Sequence, residues 1–221
     1  MDPSVLSIIL QCTEHENTVT AAGEGNLRGI KYLRKYENMP WDEETCSEAA
    51  SYGQLDCLRY LHENGCPWDE DTCIEAATYG HLDCLRYAHE NGCPWHSFVC
   101  ASAATYGNLE CLEYAYENGC EMPDDTCVRA AAHGQLECLR YAHENECPWD
   151  EDTCSEAASR GHLECLKYAH EHGCPWNEDT CKRAESLGHF ECLKYAHENG
   201  LSTLDSLRSR SREGTGGRPM G

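Results

Sequence analysis

The chain is 221 residues long and carries 39 acidic against 17 basic residues, a formal charge of −22. A surface this acidic repels nucleic-acid phosphates and anionic lipid, so the expected partner is neither of these but a protein with a basic or apolar face. Eighteen cysteines would suit a disulfide-stapled secreted protein. However, the opening MDPSVLSIILQCTEHE has no basic segment before its short apolar run, so a reducing intracellular compartment, cytoplasmic or nuclear, is expected.

Residues 1–17 read as an N-terminal capping segment. Gly25 then opens a first copy of a repeating phrase that is one residue longer than the rest, and Gly53, Gly80, Gly107, Gly134, Gly161 and Gly188 are each 27 residues apart. A fixed period of this size means one supersecondary unit stacked on itself over about residues 18–200, in about seven copies. Each copy holds two helical segments. The first follows Pro-Trp, as in Asp150-Glu151-Asp152-Thr153, and runs to the periodic glycine; Asp or Thr caps its open amides and acidic side chains suit its positive end. The second starts just after the glycine. Leu55, Leu58 and His62 fall at i, i+3 and i+7, on one stripe. Asn64-Gly65 stops it in a left-handed turn, and Pro67 prevents continuation. Neither helix is long enough to stand alone, so stacking between copies must supply the core. The fold expected is all-α, a helix-turn-helix solenoid, expected as a monomer. Residues 201–221, with Arg208-Ser209-Arg210-Ser211-Arg212 and a Gly-rich end, cannot bury a core and read as a disordered Arg/Ser/Gly tail.

Three strings carry a family resemblance: Gly161 through Tyr168 (GHLECLKY), Glu63-Asn64-Gly65, and Thr45-x-x-x-Ala49-Ala50. They resemble the ankyrin repeat, in the short Cys- and His-rich form found in giant viruses and protists. The resemblance implies an interaction scaffold. A standard ankyrin unit is longer and begins Thr-Pro-Leu-His, so the projecting β-fingers are expected to be short or absent here.

In ankyrin-like helices the position of His62, His89, His143, His170 and His197 is an apolar core position. The string Cys-x4-His-x3-Cys-x6-Cys occurs four times, as Cys57, His62, Cys66, Cys73; Cys84, His89, Cys93, Cys100; Cys138, His143, Cys147, Cys154; and Cys165, His170, Cys174, Cys181. His62 and Cys66 share a helix face at i, i+4, and two further thiols would complete a closed Cys3His site for structural Zn2+. The fourth ligand is open: Cys73, or Cys46 from the preceding helix. In the second register the first copy lacks every ligand, holding Thr18, Gly29, Arg34 and Met39. A site at Cys100, Cys111 and Cys120 would lack its histidine unless His96 substitutes for it, Cys127 would join Cys138, His143 and Cys147, and the last set would be Cys181, Cys192 and His197. Zinc of this kind contributes roughly 10–16 kcal/mol, against about 1–2 kcal/mol for a cysteine buried as a small hydrophobe. Packed free thiols with buried hydrogen-bonded histidines are the alternative.

The middle copies depart from the pattern. Pro94-Trp95-His96-Ser97-Phe98-Val99 replaces the acidic helix start, Tyr116 replaces the histidine, and Met122-Pro123 replaces Pro-Trp. His96, Phe98, Val99, Tyr116 and Met122 are candidate partner anchors, set against simple drift of one repeat. The tryptophans of Pro40-Trp41, Pro67-Trp68, Pro94-Trp95, Pro148-Trp149 and Pro175-Trp176 are expected to form a ladder over the inter-helix loop. A protein-interaction scaffold is therefore the leading expectation. A zinc buffer or metal-responsive switch is the alternative, and an enzyme is not expected, because each Cys–His pair recurs where catalysis needs one distinctive pair.

Overall fold

The computed structural model describes residues 17–201. The expected N-terminal cap, save Asn17, and the expected tail beyond Leu201 lie outside them. All regular elements among the described residues are helices, and no strand occurs. The chain divides into two compact units, Met1–Pro123 and Asp124–Gly221. The division falls within the divergent Glu121-Met122-Pro123 stretch.

The first unit contains α1 (Thr18–Gly23), α2 (Leu27–Tyr36), α3 (Glu43–Ser51), α4 (Leu55–Glu63), α5 (Glu70–Thr78), α6 (Leu82–Glu90), α7 (Phe98–Tyr106) and α8 (Leu109–Glu117). Its odd-numbered helices pack in one row, α1 on α3 on α5 on α7, and its even-numbered helices in a second. The second unit contains α9 (Thr126–Ala132), α10 (Leu136–Glu144), α11 (Glu151–Ser159), α12 (Leu163–Glu171), α13 (Glu178–Leu187) and α14 (Phe190–Glu198), with the same two rows, α9–α11–α13 and α10–α12–α14.

Helix starts follow the expected capping chemistry. The Asp69, Asp150 and Asn177 carboxylate or amide oxygens accept from the amides of Asp71, Asp152 and Asp179 at 2.9–3.1 Å. Asp42 and Thr45 form a reciprocal capping box. The odd row buries small side chains, Ala49, Ala50, Ala76 and Ala77 in the first unit and Ala157 and Ala158 in the second, which lets neighbouring helices approach closely. The even row supplies bulk, with Leu58, Leu61, Leu85 and Leu112 fully buried, each contributing roughly 1.5–3 kcal/mol.

The periodic glycine is fixed twice over. Gly80 has φ +78, and a Cβ there would lie 2.6 Å from the Asn108 side chain. Asn108 Nδ2 uses that space to donate to the carbonyls of Ala77 and Thr78, at 2.9 and 2.7 Å. One copy is thereby bolted to the previous one. Gln54 makes the equivalent bond to the Gly23 carbonyl at 3.2 Å.

Candidate functional site

The periodic histidines are not core residues. His62, His89, His143 and His170 are half-buried and His197 is exposed. Each half-buried ring is held by aromatic groups. His62 stacks on Trp68 of its own copy at 3.9 Å between centroids, with an interplanar angle of 11°. Its Nδ1 lies 2.9 Å from the Tyr87 hydroxyl of the next copy. His89 repeats this with Trp95 and Tyr114, His143 with Trp149 and Tyr168, and His170 with Trp176 and Tyr195. The imidazole thus gains a partner for its buried nitrogen without occupying the core. Each tryptophan also meets the next copy's tyrosine edge-on, at 6.1–6.2 Å in Trp68–Tyr87 and Trp95–Tyr114. The tryptophan ladder expected over the loop is therefore a His–Trp–Tyr cluster bridging successive copies. In the first copy Arg34 takes the histidine's place, its guanidinium 3.9 Å from the Trp41 ring.

The thiols sort into pairs by a spacing of 20 residues. Cys46 meets Cys66, Cys73 meets Cys93, and Cys100 meets Cys120 in the first unit; Cys127 meets Cys147 and Cys154 meets Cys174 in the second. In each pair one cysteine lies in an odd-row helix and the other in the loop after the following helix. The loop thiols Cys66, Cys93, Cys120 and Cys174 donate to the carbonyls of Asp42, Asp69, His96 and Asp150 at 3.1–3.3 Å. The hydrogen bond with the partner sulfur first, and burial second, push the helix thiols far above the ordinary cysteine range. Cys181 has no loop thiol opposite it and donates to the Leu201 carbonyl at 3.8 Å.

Of the expected Cys3His sets, the structure brings together the helix and loop thiols only, the pair belonging to the second register. Cys57 is buried within α4, where burial first and Asp56 second push its thiol up to about 11. Cys84, Cys111, Cys138, Cys165 and Cys192 occupy the same buried position in the other even-row helices. His62 is engaged by Trp68 and Tyr87. Among the described residues no group of three or more His, Cys, Asp or Glu side chains converges as a metal site would require. Two-sulfur pairs do not fit a four-coordinate zinc.

The divergent copy also resolves into local roles. Val99 is fully buried, not a surface anchor, because it fills the slot held by Thr45, Thr72, Thr126, Thr153 and Thr180 in the other copies. His96 is exposed and acts as a cap, its Nδ1 accepting from the Phe98 amide at 3.2 Å as the aspartates do elsewhere. Phe98 is exposed, with His96 edge-on at 5.1 Å, while Tyr116 and Met122 are half-buried.

A feature not expected from the sequence lies at the C-terminal ends of the odd-row helices in the first unit. Tyr52, Tyr79 and Tyr106, one per copy, are each 59% exposed. Their recurrence as Tyr-Gly at 52–53, 79–80 and 106–107 was the available signal. Helices packed side by side lie about 8–10 Å apart, so the three rings form a row on one face. Glu48 and Glu75 stand one turn before Tyr52 and Tyr79. No ion pair engages either among the described residues, whereas Glu156 of the second unit pairs with Arg160 and Arg183. Burial first, then repulsion from Asp71 and Glu48, holds the Glu75 carboxyl above its usual range.

No family model matches the chain, and no curated protein matches it. Among solved structures, the human ASB11 ankyrin repeat domain superposes with a TM-score of 0.61 at 19% identity, covering 73% of this chain and 85% of that chain. A likeness at that identity speaks to fold: the chain is an all-α stack of ankyrin-type repeats. No helix among the described residues is long and apolar enough to cross a membrane.

Proposed function

We propose, with the ankyrin-repeat fold as premise, that this chain is a non-enzymatic interaction scaffold that holds another protein on the tyrosine row of its first unit. The observation that carries the reading is the recurrence of Tyr52, Tyr79 and Tyr106 in an exposed state at one position of successive copies. Tyrosine is enriched at protein interfaces because it offers a large rigid ring with a polar tip. The unpaired Glu48 and Glu75 beside it give the face a negative potential, so the complementary surface is basic with apolar or aromatic anchors. The thiols are suited to a reducing, intracellular setting. Zinc stabilisation forms no part of this reading, since the expected donors do not converge among the described residues.

The test places a photo-crosslinking phenylalanine at position 79 in cells expressing the chain, with the same group at the exposed Glu90 as control. Cross-links to a protein at 79 and not at 90, lost when Tyr52 and Tyr106 are changed to Ser, support the scaffold. Equal labelling from both positions refutes it.

A further inference from the structure

Of the five thiol pairs, Cys127–Cys147 differs from the rest in three independent ways. Its loop thiol is the most open, 7% exposed against 3–4% for Cys66, Cys93, Cys120 and Cys174. The residue before it is Glu146 at φ +62, where the sister loops have Gly65, Gly92, Gly119 and Gly173 at φ +80 to +86. A β-carbon in the left-handed region strains the backbone and loosens the loop that buries the thiol. Val128 and Pro148, next in sequence to the two cysteines, also line an open groove of about 430 Å³ together with Asp124, Asp125, Trp149, Asp150 and Asp152.

We infer that Cys147 is a peroxide-sensitive thiol and Cys127 its resolving partner, the two closing a disulfide that ties the Glu146–Pro148 loop to the start of α9. Both are reduced thiols, and the Cys127 sulfur lies 3.6 Å from the Cys147 carbonyl oxygen. The hydrogen bond from Cys127, supported by Thr126, draws the Cys147 thiol down to about 7 while Cys127 is pushed up. A nucleophile and a protonated resolving thiol are therefore already distinguished. The Cys147 thiolate attacks one oxygen of a hydroperoxide; the O–O bond breaks, the sulfur becomes a sulfenic acid, and hydroxide leaves. The Cys127 sulfur then attacks the Cys147 sulfur, the S–O bond breaks, and water departs with the Cys127 proton. The four aspartates lining the groove, Asp124, Asp125, Asp150 and Asp152, repel anionic oxidants such as glutathione disulfide and leave a small neutral peroxide as the substrate class. The inference is independent of the tyrosine face, which lies in the first unit.

The test uses the reduced full chain with one equivalent of hydrogen peroxide at neutral pH, alkylating at intervals and mapping peptides by mass spectrometry. The Cys127–Cys147 disulfide should form at least about tenfold faster than any of the other four pairs. Cys127→Ser should accumulate a dimedone-reactive sulfenic acid at Cys147, with circular dichroism confirming the fold. Glu146→Gly keeps both thiols and should shrink the rate advantage, a readout that survives if the serine variant unfolds. Equal rates among the five pairs, or Cys147 joined to any other cysteine, overturns the inference.

Discussion

Glu146→Gly should stabilise the second unit, because it restores the glycine that the sister copies place at this left-handed helix end. Glu146 sits just past α10, its amide donating to the His143 carbonyl at 3.0 Å, with φ +62. The sister glycines Gly65, Gly92, Gly119 and Gly173 have open space where a Cβ would stand. By homology of position the Glu146 side chain suffers no clash with other elements, and the penalty is confined to the backbone angle. An L-residue in that region costs about 1–2 kcal/mol. Glycine returns about 0.4–1 kcal/mol of that through the greater freedom of its unfolded chain. The net gain is about 0.5–1 kcal/mol, or roughly 1–4 °C in Tm for a chain of this size. Urea denaturation of the full chain, followed by circular dichroism, measures it, and the reverse change Gly92→Ala should lose a similar amount. Asn38, the other non-glycine at positive φ (+49), sits at the same point of the first copy and should gain less, because asparagine tolerates this region. If Glu146→Gly is neutral or destabilising while Gly92→Ala is harmless, the backbone-strain reasoning fails.

Gly80→Ala combines φ +78 with a 2.6 Å approach to Asn108, and should cost about 1–3 kcal/mol in the same assay. Retained stability would mean that Asn108 can withdraw without loss of its two inter-copy hydrogen bonds. Thr72→Val should raise stability by about 1 kcal/mol, since the Thr72 hydroxyl is buried without a partner and Val99 already fills the equivalent slot; a lower urea midpoint would contradict this. His143 and His162 are both held below the ordinary histidine range by burial, with His172 adding to it at His143 and Glu144 opposing. A depressed folded-state pKa contributes stability that is present above the unfolded value, near 6.5, and is lost as pH falls through the folded one. The Tm of the chain should therefore drop between pH 7 and pH 5 and recover in part with His143→Leu as the reference. A flat profile, equal in both proteins, would refute the assignment.

The aromatic and thiol clusters show how differently the two kinds of information were encoded. The 27-residue period, the two helices per copy, the caps at Asp42, Asp69 and Asp150 and the glycine stops depend on residues close together in sequence, and these were legible. Helical periodicity and turn chemistry are local, and repetition multiplies a weak signal into a clear one. The absence of strands among the described residues also agrees with the missing finger residues.

Contacts across copies were not legible in the same way. Helical spacing places His62 on the stripe with Leu55 and Leu58, which marks it as a core residue and a ligand. The stacked arrangement rotates it to the rim instead, where it meets Trp68 and the Tyr87 hydroxyl 25 residues away. The second register groups Cys46, Cys57 and Cys66, of which packing sets Cys66 against Cys46 and leaves Cys57 inside α4. The divergent sequence offers Val99 as a surface anchor, whereas packing places it in the buried threonine slot. The sequence alone therefore determined what each copy is: two capped helices and a glycine turn that cannot stand singly. Only the tertiary structure decided which faces meet, because pairing at 20, 25 or 27 residues is set by how one copy rotates onto the next, a quantity fixed by side-chain packing and not by any local preference of the chain.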